Sequence, residues 1–118
     1  MATNGDTLAF MNGVPELLIL HLLAQKEMYG YEIVRAIAES TGRVIAVGEG
    51  CVYPILHTME KKRWLATHRL TRDGRERIYY RLTESGRQRL RQTSARWAQF
   101  SGAINSVLGG AHGHQPAV

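Results

Sequence analysis

Two stretches near the start of the chain carry apolar residues in helical patterns. Residues 15–25 (PELLILHLLAQ) are apolar nearly all round, which indicates a buried helix, although a core strand gives the same pattern over so short a run. Residues 29–41 are amphipathic and end at Gly42, a residue type that commonly follows a helix. The apolar face of this second stretch carries Ile33, Val34, Ile37 and Ala38. Two helices separated only by residues 26–28 predict a helix–turn unit.

A third amphipathic helix is predicted from apolar residues that recur at i, i+3, i+4 and i+7. These residues are Val52, Ile55, Leu56 and Met59. Pro54 is compatible with a helix only near its beginning, so we expect the helix to start at about Gly50 or Cys51 and to extend to Lys62. Before this helix, the β-branched run 43–47 (RVIAV) is a candidate for a short strand.

A β-hairpin is predicted after the third helix. Residues 65–70 and 76–82 are rich in types that favour strands, and an Asp-Gly dipeptide lies between them. Asp-Gly is one of the strongest short-range signals for a hairpin turn. The hairpin would carry Arg72 and Arg75 at its tip and would therefore form a basic wing.

The last predicted helix begins after Thr83, whose hydroxyl can cap the free backbone N–H groups. Leu90, Trp97 and Ile104 are spaced seven residues apart, at a-type heptad positions. Thr93, Phe100 and Val107 occupy the d-type positions between them. This pattern spans about two and a half heptads, which is short for a free-standing coiled coil. We expect residues 83–108 to form a helix through which two copies dimerise, and the Gly-rich residues 109–118 to be disordered.

The basic residues of the chain are concentrated in one third of it. The net charge is +5, but residues 1–60 carry three basic against seven acidic side chains, whereas residues 61–91 carry eleven against three. Such a local positive field favours a polyanionic partner such as DNA, although a solvated basic face is the alternative. The length of 118 residues allows one domain, and a single cysteine excludes an intrachain disulfide. With neither a leader peptide nor a membrane span in the sequence, a cytoplasmic protein is expected.

The order of these elements predicts an α+β fold, a winged helix-turn-helix over residues 8–82 followed by a long C-terminal dimerisation helix. In such a fold the third helix lies in the major groove of double-stranded DNA and the wing contacts the backbone or the minor groove. Because the apolar residues of the third helix face inward, its outer face carries the candidate DNA contacts. These are Gly50, Cys51, Tyr53, His57, Thr58 and Lys61. An ordinary polar surface with Tyr53 half-buried is the alternative.

Three segments of the sequence closely resemble the PadR family of bacterial transcriptional regulators. They are GYEIVRAI, GEGCVYPILHTMEKKRWL and GRERIYYRLTESGRQRL, and the likeness extends over about residues 8–108. The single helix after the wing is similar to the smaller PadR subgroup, in which the last helices of two chains cross. The resemblance implies that the DNA-facing residues also include Tyr29, Tyr31 and the wing arginines Arg72, Arg75 and Arg77. It further implies an operator with inverted repeats.

Cys51 departs from the family pattern, which more often has Thr or Ser at this place. Helix N-termini lower the pKa of a thiol, so Cys51 is a candidate for a redox switch that would add polar bulk against DNA on oxidation. The alternative is a small, half-buried side chain.

Trp97 suggests a second hypothesis, that of an effector site. Multidrug-responsive PadR members carry a Trp at this place and stack flat aromatic ligands between the two copies of it. The resemblance therefore implies a small aromatic effector at Trp97, with Phe100 and Leu18 beside it. The alternative is plain packing in the dimer, since aromatic residues at heptad positions are usually core.

Enzymatic function finds no support in the sequence. It contains no P-loop, GxSxG or dinucleotide fingerprint, and His112 and His114 lack the further ligands that a zinc site requires. We therefore predict no cofactor and no metal. The predicted function is that of a DNA-binding repressor. Alternatives are a winged-helix adaptor that does not bind DNA, which would not need so basic a wing, and a small-molecule carrier that uses Trp97 alone.

Overall fold

The structure is a computed structural model that describes residues 13–109. Residues 8–12 of the predicted winged helix-turn-helix, which we call the head, lie outside the described residues. So do residues 110–118 of the predicted disordered tail, with His112 and His114. The helices are α1 (Val14–Gln25), α2 (Gly30–Ser40), α3 (Glu49–Lys61) and α4 (Glu84–Val107), and the strands are β1 (Met28–Tyr29), β2 (Leu65–Arg72) and β3 (Arg75–Leu82). The strands form one antiparallel sheet in the order β1-β3-β2. The predicted winged helix with a long C-terminal helix is confirmed.

The core lies where α1, α2 and α3 meet the sheet. α1 is apolar nearly all round because it packs against α2, β3 and α4. The centres of the predicted inward faces of α2 and α3 are buried, whereas Val34, Ala38 and Ile55 are half-buried. The most deeply buried side chains are Ile19, Leu20, Ile33, Ile37, Val52, Leu56 and Met59. Burying a side chain of this size contributes about 1.5–3 kcal/mol, so these contacts hold the three helices together.

The short strand predicted at residues 43–47 is wrong. Thr41 closes this segment into a turn, because its Oγ accepts a hydrogen bond from the Ile45 N–H at 3.1 Å, and Arg43 adopts a φ of 67°. Of the β-branched residues here, Val47 is buried and Ile45 packs against the core, whereas Val44 is 85% exposed. The third strand is β1, which lies in the predicted break between α1 and α2 and pairs with Tyr79 and Tyr80 of β3.

The hairpin is tighter than predicted. β2 and β3 pair in register from Leu65–Leu82 to Arg72–Arg75, so only Asp73 and Gly74 form the turn instead of the predicted residues 71–75. Both turn residues have positive φ values, 55° and 75°, as a type I′ turn requires. The wing is therefore a rigid two-stranded ribbon to its tip.

The start of α3 differs slightly from the prediction, whereas the start of α4 agrees with it. α3 begins at Glu49, one residue before the expected position, and Pro54 is its sixth residue. Pro54 has no N–H with which to bond the carbonyl of Gly50, but Gly50 is exposed, so water can satisfy that carbonyl. α4 begins as predicted, since Thr83 Oγ accepts a hydrogen bond from the Gly86 N–H at 3.0 Å.

Candidate nucleic-acid interface

A cleft opens between the start of α2, the outer face of α3 and the part of β3 that β1 does not cover. Its volume is about 740 Å³, and its lining residues are Tyr29, Gly30, Tyr31, Tyr53, His57, Arg75, Arg77, Ile78 and Tyr80. Apart from Gly30, Ile78 and Tyr80, these are residues that the sequence singled out as DNA contacts. They come from four elements, β1, α2, α3 and β3, and the fold brings them to one concave surface.

Tyr53 packs directly on the backbone of Gly30 at the bottom of this cleft. A Cβ atom built on Gly30 would lie only 2.2 Å from the Tyr53 hydroxyl oxygen, so any other residue at position 30 would require the Tyr53 ring to move. Tyr53 is accordingly half-buried rather than fully on the outer face. Burial, and after it the charge of Glu49, raises the pKa of the Tyr53 hydroxyl above its ordinary value, so the phenol remains a proton donor.

The wing arginines differ in how they are held. Arg77 lies over the ring of Tyr29 at 4.3 Å, and Tyr29 in turn meets Tyr79 edge-on at 5.5 Å. Arg75 is exposed at the wing tip and lines the cleft. Arg72 lies outside the cleft lining and forms an ion pair with Glu27 at 2.9 Å. Glu27 carries no motif signal in the sequence, because its role depends on long-range contacts.

The remaining candidates on α3 lie on its surface. His57, Thr58 and Lys61 are exposed, and Gly50 is exposed in the first turn. Cys51 is half-buried, as the alternative to the redox hypothesis expected. Burial raises the pKa of its thiol, which does not favour the redox hypothesis. A protonated thiol is a poor nucleophile toward oxidants.

A second groove lies between α1 and α4. Its volume is about 600 Å³, and its lining residues are Gly13, Val14, Leu17, Arg89, Gln92, Thr93, Arg96, Trp97 and Phe100. Trp97 and Phe100 are here as expected, but the expected Leu18 packs against the hydrophobic core instead. Adjacent helical residues point about 100° apart, so Leu17 takes the place beside Trp97.

The second half of α4 exposes a stripe of large apolar side chains. Trp97, Phe100, Ile104 and Val107 are 49%, 56%, 53% and 86% exposed, and they occupy the heptad positions that the sequence identified. Leu90, one heptad before Trp97, packs against the core instead. Within residues 13–109, no helix is long and apolar enough to cross a membrane, and no group of His, Cys, Asp and Glu side chains could hold a metal ion.

Comparison with known proteins places this geometry among regulators of transcription. The model of the PadR-like transcriptional regulator family matches residues 19–92. A transcriptional regulator of Mycobacterium tuberculosis is 31% identical over 101 residues, which cover 86% of this chain and 89% of that protein.

Two solved structures are informative for the interface. A PadR-like transcriptional regulator from Bacillus cereus is 30% identical, with a TM-score of 0.76 over 85% of this chain and 96% of that one. The PadR protein of Bacillus subtilis, solved in complex with operator DNA, is 27% identical, with a TM-score of 0.62 over 69% of this chain and 45% of that larger one.

The burial of Cys51 predicts a slowly reacting thiol. Its rate of reaction with an aromatic disulfide reagent should rise with pH, with a midpoint above that of N-acetylcysteine amide measured alongside, because the thiolate is the reactive form and burial disfavours it. A midpoint below that of the free thiol would instead support the redox hypothesis.

Proposed function

The chain belongs to the PadR-like family of transcriptional regulators, and we propose that it is a sequence-specific DNA-binding repressor that acts as a homodimer. Members of this family regulate transcription, so the chain is a regulator and not an enzyme. The observation that carries the proposal is the cleft in which α3, the start of α2 and the wing present tyrosines and arginines together. We place the protein in the cytoplasm, where a bacterial promoter is accessible.

In the proposed complex α3 enters the major groove. The groove is about 12 Å wide and admits one helix, whose exposed His57, Thr58 and Lys61 would reach base edges and phosphates. Gly50 and Cys51 would face the backbone at the helix N-terminus, where the free N–H groups attract phosphate.

The walls of the cleft would hold the DNA backbone. The hydroxyls of Tyr29, Tyr31 and Tyr53 can donate to phosphate oxygens, and Arg75 and Arg77 supply charge from the wing. The stacking of Arg77 on Tyr29 orients its guanidinium before DNA arrives, which lowers the entropic cost of the contact. Repression requires only that the promoter be occupied.

The dimer would form through the apolar stripe of α4. Contiguous apolar surface of this kind on a soluble protein marks an interaction site, and a heptad pattern on a helix fits a second copy of the same helix. Two heads related by a two-fold axis would bind inverted half-sites about one helical turn apart.

The groove beside Trp97 is the proposed effector site. Trp97 and Phe100 offer flat faces for a small aromatic molecule, with Gln92 and Thr93 as polar partners at the rim. Because Arg89 of the same groove is also paired with Glu16 of the head, a ligand there would alter how α4 meets the head and hence the spacing of the two DNA-binding helices. Such a change would release the operator.

The DNA proposal predicts tight, salt-sensitive binding to the promoter of the gene that encodes the chain. Fluorescence anisotropy should show tighter binding to that upstream duplex than to a shuffled one, with a steep loss of affinity between 50 and 200 mM salt on the order of the thousandfold typical of several phosphate contacts. Arg75→Ala should make the slope of log K against log salt shallower by about 1. Arg35→Ala, on the exposed side of α2 and paired with Glu39, is the matched control and should leave the slope close to wild type.

Three outcomes of this assay are decisive. Absence of binding to either duplex at low salt would contradict DNA binding and favour an adaptor. If a planar aromatic compound releases bound DNA from the wild type but not from Trp97→Ala, the effector proposal is supported. Release that persists in Trp97→Ala would contradict the site at Trp97.

The dimer proposal predicts that a charge within the stripe separates the protomers. Wild-type protein should sediment at twice the chain mass of 13.2 kDa, whereas Ile104→Glu should sediment as a monomer because a carboxylate would be buried in an apolar interface. Gln99→Glu, elsewhere on the same helix, is the control and should remain dimeric. A monomeric wild type, or a dimeric Ile104→Glu, would contradict dimerisation through α4.

A further inference from the structure

One acidic side chain lies among the cations of the wing. Glu27, in the turn between α1 and β1, contacts two residues of β2 with its two carboxylate oxygens. Oε1 lies 2.6 Å from Nε2 of His68, and Oε2 accepts a hydrogen bond from Nη2 of Arg72 at 2.9 Å. These contacts join positions 41 and 45 residues apart in sequence, so they tie the wing to the head.

The arginine of this cluster is held from a second side. The Arg72 guanidinium lies 4.6 Å from the centre of the Tyr79 ring, and Tyr79 is itself only 2% exposed. The carboxylate and the ring together favour one orientation of the guanidinium, although the Arg72 side chain is still 51% exposed. Arg72 therefore differs from Arg75, which has no ion-pair partner among the described residues.

The Glu27 side chain is stabilised as a carboxylate by its two partners. The hydrogen bond from His68 lowers its pKa, and the charges of His68 and Arg72 lower it further, while burial opposes the shift. The carboxyl is accordingly ionised at neutral pH. The pair of Glu76 with Arg69 in the wing is a contrast, because it is 3.7 Å long and both side chains are more than half exposed, whereas Glu27 is only 26% exposed.

We propose that Glu27 is a positioning residue that sets DNA specificity by withholding Arg72 from phosphates. This inference rests on the proposed DNA binding. Sequence-independent affinity rises with the number of phosphates that the protein neutralises, whereas base readout does not depend on that number. When Arg72 is paired with a carboxylate of the protein, the affinity for arbitrary DNA is therefore lower, while the contacts of α3 are unchanged. In the wing, Arg75 and Arg77 contact phosphates, whereas Arg72 joins the wing to Glu27.

The test compares Glu27→Gln with Glu76→Gln, which likewise removes one carboxylate that is paired with an arginine of β2. Binding of a random-sequence duplex is followed by anisotropy between 50 and 200 mM salt. Glu27→Gln should free Arg72 and steepen the slope of log K against log salt by about 1, so that its affinity falls about fourfold more than that of the wild type over this range. Glu76→Gln should change the slope much less, because Arg69 is already largely solvated.

The second part of the experiment substitutes Arg72 itself. Arg72→Ala in the wild type should leave the slope nearly unchanged, and added to Glu27→Gln it should return the slope to the wild-type value. A merely structural role of Glu27 would not produce this reversal. Arg72→Ala also stands as an independent check if Glu27→Gln fails to fold.

The outcomes separate the two claims. Equal slopes for Glu27→Gln and Glu76→Gln, or a slope that Arg72→Ala reduces by about 1 in the wild type, would overturn the withholding of Arg72 while leaving DNA binding intact. Failure of the wild type to bind any duplex at low salt would overturn the proposed function and this inference with it.

Discussion

The contact between the Tyr53 phenol and the backbone of Gly30 is the constraint on which the interface depends. The phenol occupies the space in which any other residue at position 30 would place its Cβ. The first turns of α3 are thereby drawn against the start of α2, and the cleft receives side chains from both helices. The backbone N–H of Tyr29 donates to the Glu32 carboxylate at 3.3 Å, which fixes the chain where it enters α2.

The wing and α4 are positioned from the same head through a few backbone contacts. The Trp64 carbonyl accepts a hydrogen bond from the Thr83 N–H at 3.0 Å, so the end of the hairpin and the start of α4 are tied together. Gly86 permits this, since a Cβ there would lie 2.2 Å from that carbonyl oxygen. Arg89 then stacks on the Trp64 ring at 4.6 Å and pairs with Glu16 at 2.9 Å. The base of α4 is thus joined rigidly to the head, which any coupling between the effector groove and the DNA-binding helix requires.

Local patterns predicted the features that depend on local chemistry. The Asp-Gly dipeptide specified the turn of the wing, the spacing of Val52, Leu56 and Met59 specified the inner face of α3, and Thr83 specified the start of α4. Features that depend on distant partners were wrong or absent. β1 is two residues long and exists because β3 pairs with it, and the run 43–47 is apolar because Val47 fills the core.

The candidate site divides in the same way. Tyr53, His57 and the wing arginines could be identified as candidates from their types and positions. Which of the arginines is paired with a carboxylate could not be predicted. Arg72 is distinguished from Arg75 by Glu27, which only the fold brings near. Leu17 and Leu18 differ by one helical step, and no sequence pattern fixed which of them faces α4. Burial raises the pKa of the Cys51 thiol, and the fold determines the extent of that burial.

The most direct test of the account is a hydrogen-exchange footprint of the protein on duplex DNA from upstream of its own gene at low salt. The account predicts slower amide exchange at residues 29–31, along the exposed side of α3 and at the wing tip, with the second half of α4 unchanged by DNA. Slower exchange confined to residues 97–107, or none in the cleft, would contradict the claim that the cleft binds DNA.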